Sequence, residues 1–419
     1  MKIPRYLLVS FLIALAACPA FSQIRTYVGI VRVNYHETTV SFLEDLSRTM
    51  RVDGYLSYSE WIDGYLKGTF GSGYVYVAPD GTNYVITNGH VISQANTASL
   101  EFENSDGTKT KYEGLTVRGV DESLDLALLA FPDGKKPFSK GLSFYPGVVE
   151  DGLDVWTAGF PGTGGDPLWQ LGKGTITNSC ARIAELIDPE LSVLYQHSGQ
   201  VDPGNSGGPL LVSAKGSVGG YQVIGINTWR SIYRQAANYA IPAVTVRKFI
   251  ANTLAKPSQG DDSRAAFESR RASFAGKVFT EEEPYKKIAR YVSNANVSAN
   301  GGAAFKDALS TAPGSVRDCV ISMFVHESPV EGMRYAIAWK MQKDIFGKLT
   351  TFPLTLEGEP VLQEDGSWKC GFSVSGTNYT SKWVLEHGLW RIESFAKVQV
   401  VDETEAGKKD KAASKAKKS

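Results

Sequence analysis

Short runs of strand-forming residues follow one another from Gly71 to Ile241, and they limit the folds open to this chain more than any other feature. Turn signals such as PDGTN, NSDGT and AKGSVGG separate the runs. The runs are GYVYVA, NYVITNG, ASLEFE, YEGLTVRGV, LALLAF, DVWTAGF, GKGTITN, SVLYQH, PLLVS, YQVIGINT and NYAIP. Many short strands at regular spacing predict a β-sandwich or a β-barrel.

The length of 419 residues is too great for one ordinary core and predicts two domains. The first domain is predicted over residues 24–255. Its strand pattern begins at Thr26–Tyr35, is interrupted by two short helices within Glu37–Gly68, and ends in a helix over Val244–Ala255. The polar, turn-rich residues 256–263 form the predicted linker.

Residues 264–402 are predicted to form a smaller α+β domain, whose role the sequence does not indicate. Helical patterns over Arg264–Phe274, Glu281–Val292 and Val316–Phe324 precede the strand-like runs GSWKCGFSVSG, TSKWVLEHG and LWRIESFAKVQVV. The Lys-rich residues 403–419 are predicted to be a disordered tail.

The first 22 residues have the layout of an export signal. Lys2 and Arg5 precede an apolar run over Tyr6–Ala17, which is too short to span a membrane, and small residues follow. Two processing sites are open: cleavage before Gln23, or a lipoprotein signal that would make Cys18 the lipidated first residue. We favour the former, because proline directly follows the cysteine. Both predict a bacterial cell-envelope protein, periplasmic or secreted.

Charge and cysteine usage exclude some classes of function. The 44 basic and 44 acidic residues balance, so composition does not indicate a nucleic-acid-binding protein. The histidines are scattered and no cysteine pair has ligand spacing, so we expect neither a metal nor a cofactor. Export leaves Cys180, Cys319 and Cys370 in the chain, and a disulfide between Cys319 and Cys370 is a hypothesis.

One stretch, VDPGNSGGPLL over Val201–Leu211, surrounds Ser206 with glycines. Glycine clusters mark backbone that turns sharply or approaches another group closely, so Ser206 is a candidate nucleophile. Taken alone, the pattern is more typical of a Gly/Pro-rich turn. A serine hydroxyl also needs a neighbouring base before it becomes a good nucleophile.

His90, at the end of the predicted strand YVITNGH, is the candidate base among five histidines. The others are His36, His197, His326 and His387. The third member should be a carboxylate that orients the histidine. Asp125 lies inside an apolar run, where a buried charge requires a partner, whereas Asp121 and Glu122 are the solvated alternatives.

Five motifs now point to one family. They are GSG at 71–73, TNGHV at 87–91, DLALL at 125–129, GNSGGPL at 204–210 and GINT at 225–228. Their order resembles that of trypsin-like serine proteases, most of all the HtrA-type branch, over about Tyr27–Ala255. The resemblance implies two six-stranded antiparallel β-barrels with the site in the cleft between them. It also implies a triad of Ser206, His90 and Asp125, and an oxyanion hole made by the N–H groups of Gly204 and Ser206.

The same resemblance implies an endopeptidase whose substrates are unfolded or extended polypeptides. An oligomeric state is compatible with the sequence. Gln200, six residues before the nucleophile, would be the pocket floor. Because it is not acidic, we expect small or medium apolar residues to be preferred over Arg and Lys. The predicted pocket walls are Ile226, Asn227, Thr228, Ala240 and Ile241.

Departures from the digestive enzymes matter as well. Digestive trypsin-like enzymes have a cysteine after the catalytic histidine and an aspartate before the serine, where this chain has Val91 and Asn205. Without the aspartate, the ion pair that a newly cut N-terminus makes during zymogen activation cannot form. Loop rearrangement is then the expected switch, with the insertion Glu37–Gly68 as a candidate regulator. A PDZ domain is not recognisable after Lys256.

Two other functions remain open at this point. Gly204–Gly208 also fits the G-x-S-x-G elbow of α/β-hydrolase esterases, which requires a helix directly after Ser206 and would make His326 or His387 the base. A protease fold that has been kept only as a binding or chaperone module is the third possibility.

Overall fold

The structure is a computed structural model that describes residues 23–66, 70–93, 95, 97–104, 108–162, 167–182, 193–230, 237–256, 262–277, 283–346 and 354–398. The predicted export signal with Cys18, most of the predicted linker and the predicted tail lie outside these residues. The chain divides into two compact units. One comprises Met1–Asp262 with His387–Leu389, and the other comprises Ser263–Glu386 with Trp390–Ser419.

Two closed antiparallel barrels of six strands each form the first unit. The strands of the first barrel are β1 (Val28–Asn34), β2 (Phe70–Val77), β3 (Asn83–Thr87), β4 (Thr97–Glu103), β5 (Lys109–Asp121) and β6 (Leu126–Ala130), in the order β1-β2-β3-β6-β5-β4. The strands of the second are β7 (Asp154–Gly159), β8 (Gln170–Ala181), β9 (Leu194–His197), β10 (Pro209–Ser213), β11 (Tyr221–Arg230) and β12 (Asn238–Pro242), in the order β10-β11-β12-β9-β8-β7. The predicted fold class is confirmed.

One hydrophobic core joins the two barrels. Ile86 and Leu128 from the first barrel and Leu211 and Ile226 from the second belong to the same buried cluster. Strand β6 is buried at every position from Leu126 to Leu129, which explains why its sequence is a continuous apolar run instead of an alternating one. This packing fixes the position of Asp125, the residue directly before β6.

Three helices accompany the barrels: α1 (Glu37–Val52), α2 (Leu56–Leu66) and, after β12, α4 (Ala243–Leu254). A fourth, the single-turn helix α3 (Gly89–Ile92), follows β3. Helices α1 and α2 are the two predicted in the insertion. The Ser47 and Ser59 hydroxyls, 3.0 Å apart, and an ion pair between Arg51 and Asp63 hold them together.

Among the residues that the structure describes, the second unit combines five α-helices with a sheet of four strands. They are α5 (Arg264–Lys277), α6 (Pro284–Ile288), α7 (Asn294–Thr311), α8 (Gly314–Ser322), α9 (Pro329–Phe346), β13 (Thr355–Leu362), β14 (Trp368–Val374), β15 (Thr377–Glu386) and β16 (Leu389–Lys397), with the strands in sequence order. This is the predicted α+β composition. The sequence did not indicate α7 and α9.

The sequence analysis missed α7 and α9 for physical reasons. Helix α7 is rich in Asn and Gly, which are poor helix formers, and it packs closely on α9, since a Cβ at Gly301 would lie 3.0 Å from the Met333 Cβ. Helix α9 is buried on nearly all sides, so it lacks the polar face on which a periodicity argument depends. Tertiary packing, not local preference, forms both.

The hypothesised Cys319–Cys370 disulfide is wrong, because both thiols are free. Cys370 lies on β14 and faces Ser381 of the neighbouring strand, with Sγ 3.3 Å from the hydroxyl. Cys319 lies on α8 beside Tyr285. Proximity in sequence therefore does not bring the two sulfur atoms together.

These positions predict different reactivities. In the native protein, iodoacetamide should modify the exposed Cys180 well before Cys370, which is buried and whose thiol pKa is raised by that burial. The thiolate is the reactive form, so a raised pKa slows alkylation further. Mass spectrometry of digests, with and without urea, measures the order. A peptide that links Cys319 to Cys370, or equal rates at Cys180 and Cys370, would contradict this assignment.

Candidate active site

The loop that carries Ser206 connects β9 to β10 and depends on its glycines. Gly204 and Gly207 have φ values of +101° and +86°, in the left-handed region that favours glycine. A Cβ at Gly207 would lie 2.1 Å from the Ser72 carbonyl oxygen, and one at Gly204 would lie 2.6 Å from the Phe160 carbonyl oxygen. The special backbone around Ser206 is thus required by sharp turns and close approaches.

His90 and Asp125 are in direct contact. The Nδ1 atom of His90 lies 2.9 Å from Oδ2 and 3.0 Å from Oδ1 of Asp125, and the His90 backbone N–H donates to Oδ1 over 2.8 Å. A neutral imidazole oriented in this way carries its proton on Nδ1 and leaves Nε2 as an acceptor. The His90 side chain is 42% exposed, whereas that of Asp125 is 9% exposed.

The backbone of His90 differs from the prediction. Strand β3 ends at Thr87, and His90 lies in the helical turn α3 instead of ending the strand. This turn directs the backbone N–H of His90 at the same carboxylate that its side chain meets. Local strand propensity could not show this turn.

Asp125 is buried, and its backbone has a φ of +52°. Aspartate tolerates the left-handed region better than most residues. The Asn88 side-chain N–H donates to the Asp125 carbonyl over 2.9 Å, and the Thr228 hydroxyl donates to Oδ2 over 2.6 Å. The Thr228 hydroxyl and the two donors of His90 bind the carboxylate itself and offset the cost of burying its charge, whereas Asn88 holds the backbone of Asp125. The alternative carboxylate, Asp121, instead accepts hydrogen bonds from Ser123 and Leu124 in a turn.

Thr228 on β11 connects the carboxylate to the candidate nucleophile. Its hydroxyl binds Asp125, and its carbonyl accepts a hydrogen bond from the Ser206 hydroxyl over 3.2 Å. Within the described residues, the Ser206 hydroxyl bonds to this carbonyl and not to His90. The sequence analysis placed Thr228 in a pocket wall and missed this role, because a threonine in a strand has no local signal for a partner 103 residues away.

Two backbone N–H groups beside Ser206 are available to a ligand. Across the described ranges, neither Gly204 N–H nor Ser206 N–H donates a hydrogen bond to the protein. Neighbouring amides do: Gly207 N–H donates to the Asn227 carbonyl, and Gly208 N–H donates to the Asn205 carbonyl, both over 2.9 Å. The two amides that the family resemblance assigns to an oxyanion therefore differ from those around them.

The predicted pocket residues are placed unequally. Gln200 is exposed, and its side-chain N–H donates to Asp202 over 2.7 Å. The predicted wall residues Ile226, Asn227, Thr228, Ala240 and Ile241 are all buried. The Asn227 side chain is used internally, since it donates to the carbonyls of Gly208 and Pro209. Their role as a specificity pocket stays a prediction.

The remaining histidines occupy other positions. His197 is fully buried on β9, and burial lowers its pKa to about 4. His36 directly precedes α1, and His387 lies in the turn between β15 and β16. The side chain of His326 lies outside the described residues.

The segment after Ser206 tests the α/β-hydrolase esterase alternative. Ser206 is followed by strand β10, whereas the α/β-hydrolase elbow requires a helix at that point. The esterase interpretation based on that motif is therefore wrong.

A family model described as a trypsin-like peptidase domain matches residues 71–220. The curated relatives include a serine protease Do-like HtrA of Lactobacillus helveticus, 31% identical over 38% of this chain and 35% of that protein. They also include a putative serine protease HhoA of Synechocystis, 33% identical over 44% of this chain and 43% of that protein. Residues 71–220 of the chain therefore match a trypsin-like peptidase domain, and the curated proteins to which the chain is similar are serine proteases.

The peptidase domain confirms the resemblance drawn from the five motifs. The family match begins at Gly71, where the first motif begins, and ends at Gly220, before GINT. The chain spans less than half of the length of either relative. Among solved structures, the active form of the Rv3671c protease from M. tuberculosis is 24% identical, with a TM-score of 0.39 over 57% of this chain and 85% of that one.

The buried His197 predicts a pH dependence of stability for the peptidase domain. Because its pKa falls from 6.5 to about 4 on folding, the unfolded chain binds more protons between these pH values. Its contribution to stability is therefore full above pH 6.5 and decreases by about 3 kcal/mol as the pH falls to about 4. Urea unfolding at several pH values measures the slope.

His197→Gln should reduce that slope. Equal slopes for the wild type and His197→Gln would contradict the assignment.

Proposed function

We propose that the chain is a serine endopeptidase in which Ser206 is the nucleophile, His90 the general base and Asp125 the carboxylate that orients it. The proposal rests on the contacts of the Asp125 carboxylate, which is bound by both His90 and the Thr228 hydroxyl. The carbonyl of Thr228 in turn accepts a hydrogen bond from the Ser206 hydroxyl. Four segments that are separate in sequence thus supply one connected set of polar groups. A merely structural role for Asp125 would not explain why the imidazole remains exposed to solvent beside it.

The proposed reaction begins when the Ser206 hydroxyl rotates away from the Thr228 carbonyl and attacks the scissile carbonyl carbon. The Nε2 atom of His90 takes the hydroxyl proton and then delivers it to the leaving amine. Asp125 keeps the imidazole in the required tautomer and stabilises its charged form. Water then repeats the cycle on the acyl-enzyme.

The N–H groups of Gly204 and Ser206 would stabilise the negative charge that develops on the carbonyl oxygen. Each donor of this kind typically contributes about 10²- to 10³-fold in rate. Their lack of protein acceptors within the described residues supports this assignment. A group that must donate to a transient oxyanion cannot already be committed to the protein.

Both named relatives are serine proteases, which supports polypeptides as the substrates of this chain. We propose unfolded or extended segments, and a role in protein quality control or processing in the bacterial cell envelope. The location rests on the export signal predicted for residues 1–22. None of the helices among the described residues is long and apolar enough to cross a membrane.

Removing the nucleophile or the base should abolish proteolysis. By analogy with other serine proteases, Ser206→Ala and His90→Ala should each lower kcat by about 10⁶-fold. Casein cleavage, short-ester cleavage and labelling by a fluorophosphonate measure the loss. Ser213→Ala, at an exposed serine that ends β10, is the matched control and should behave as the wild type.

The wild type itself discriminates between the functions. Labelling with casein cleavage supports the endopeptidase. A wild type that is neither labelled nor active would contradict it and favour a binding module.

Thr228 should act through Asp125. Thr228→Val removes the hydroxyl that donates to the carboxylate over 2.6 Å, and a hydrogen bond to a charged group contributes about 1.5–3 kcal/mol. We therefore expect kcat to fall about 10- to 100-fold with little change in KM. Thr228→Ser keeps the donor and should retain most of the activity. Equal losses in both variants would show that the hydroxyl has no such role.

A further inference from the structure

We infer that Ser72 is a positioning residue that holds the oxyanion loop, Pro203–Ser206, with its two unpaired amides directed at the substrate. The inference deepens the proposed function and rests on it. Ser72 lies on β2 of the first barrel and is fully buried. The oxyanion loop belongs to the second barrel, since it precedes β10.

Ser72 contacts the loop through both its backbone and its side chain. Its N–H donates to the Ser206 carbonyl over 2.8 Å, and its hydroxyl donates to the Gly204 carbonyl over 2.7 Å. The same hydroxyl oxygen accepts a hydrogen bond from the Phe160 N–H over 2.9 Å. The hydroxyl therefore donates to the loop and is itself held in place by the N–H of Phe160, the residue that follows β7.

These contacts matter because of the freedom of Gly204. With no Cβ, a glycine at φ +101° has many accessible backbone conformations, and nothing in the residue itself selects one. A peptide unit is planar, so fixing the direction of its carbonyl fixes the N–H on the opposite side. The direction of the oxyanion amides is thus set by whatever binds the carbonyls of the loop.

Each carbonyl of the loop has a donor. The Pro203 carbonyl accepts a hydrogen bond from the Gly162 N–H, so the Gly204 N–H, in the same peptide unit, points the opposite way. The Asn205 carbonyl accepts a hydrogen bond from the Gly208 N–H, so the Ser206 N–H also points away from that contact. The peptide between these two units joins Gly204 to Asn205. Its carbonyl is held by the Ser72 hydroxyl, and its N–H donates to the Asp202 carbonyl over 2.9 Å. Ser72 is therefore the side chain that, together with this backbone hydrogen bond, fixes the relative orientation of the two amides.

A second polar contact lies behind the loop. The Asn205 side-chain N–H donates to Gln170 on β8 over 2.9 Å, and Asn205 is buried. Because Asn205 carries no charge, an ion pair cannot hold this position. The orientation of the Gly204 and Ser206 N–H groups is then maintained by neutral hydrogen bonds that form on folding. Activity should therefore need no proteolytic trimming.

Space around the Ser72 hydroxyl is closely limited. A Cβ at Gly159 would lie 2.8 Å from Ser72 Oγ and 2.5 Å from Asn205 Oδ1. An alanine at position 159 would therefore disturb both contacts while leaving both residues in the sequence. Gly159→Ala therefore offers a second test of the contact between Ser72 and the oxyanion loop.

The test compares Ser72→Ala with Ser99→Ala in the full chain. Ser99 is a buried serine on β4 of the same barrel, so Ser99→Ala is matched for burial but lies on another strand. We expect Ser72→Ala to lower kcat by at least about tenfold with KM within about twofold, because only binding of the oxyanion is affected. Ser99→Ala should retain the kcat of the wild type.

Amide hydrogen exchange of peptides that cover residues 203–208 gives a readout that does not depend on activity. Ser72→Ala should increase exchange in this loop, and Ser99→Ala should not. If Ser72→Ala does not fold, Gly159→Ala should show the same loss of kcat and the same increase in exchange. The inference is overturned if the folded Ser72→Ala, or Gly159→Ala in its place, matches Ser99→Ala in both measurements.

Failure of the proposed function gives a different result. A wild type that neither cleaves peptides nor reacts with a fluorophosphonate would contradict the endopeptidase. Loop exchange in the variants would still decide whether Ser72 holds the loop.

Discussion

The buried negative charge of Asp125 is the interaction on which the rest of the site depends. A carboxylate removed from water is costly unless several donors meet it. Here the donors are the backbone and side chain of His90 and the hydroxyl of Thr228. They come from the helical turn after β3 of the first barrel and from β11 of the second. Both barrels therefore supply hydrogen-bond partners of the buried charge.

The same constraint explains the unusual backbone of the site. Asp125 has a positive φ, and the loop of Ser206 contains two glycines with positive φ whose Cβ positions are already filled by other atoms. Such conformations persist only where the surrounding structure enforces them. In this domain the enforcing contacts cross from one barrel to the other, through Ser72 to Gly204 and through Thr228 to Asp125. The two barrels are therefore held together by hydrogen bonds as well as by the shared core.

Much of this could be predicted from the sequence. The short strand-like runs predicted a β-sandwich or a β-barrel, and the family resemblance implied the two six-stranded barrels that are observed. The motifs named His90 and Asp125, whose side chains are in contact, and Ser206, whose hydroxyl donates to the Thr228 carbonyl. What the sequence could not show was the function of ordinary residues. Ser72 and Thr228 lie in the motifs GSG and GINT, but their hydrogen-bond partners are more than 100 residues away in sequence, so the motifs did not show these contacts. The free cysteines and helices α7 and α9 depend in the same way on tertiary packing.

The most direct test of the central claim is a crystal structure of the protein with a peptide boronic acid. If Asp125, His90 and Ser206 act as one site, boron will be bonded to Ser206 Oγ. One boronate oxygen will then accept hydrogen bonds from the N–H groups of Gly204 and Ser206, and His90 will remain paired with Asp125. A boronate bound away from Ser206, or bonded to it with neither amide in contact, would contradict the account.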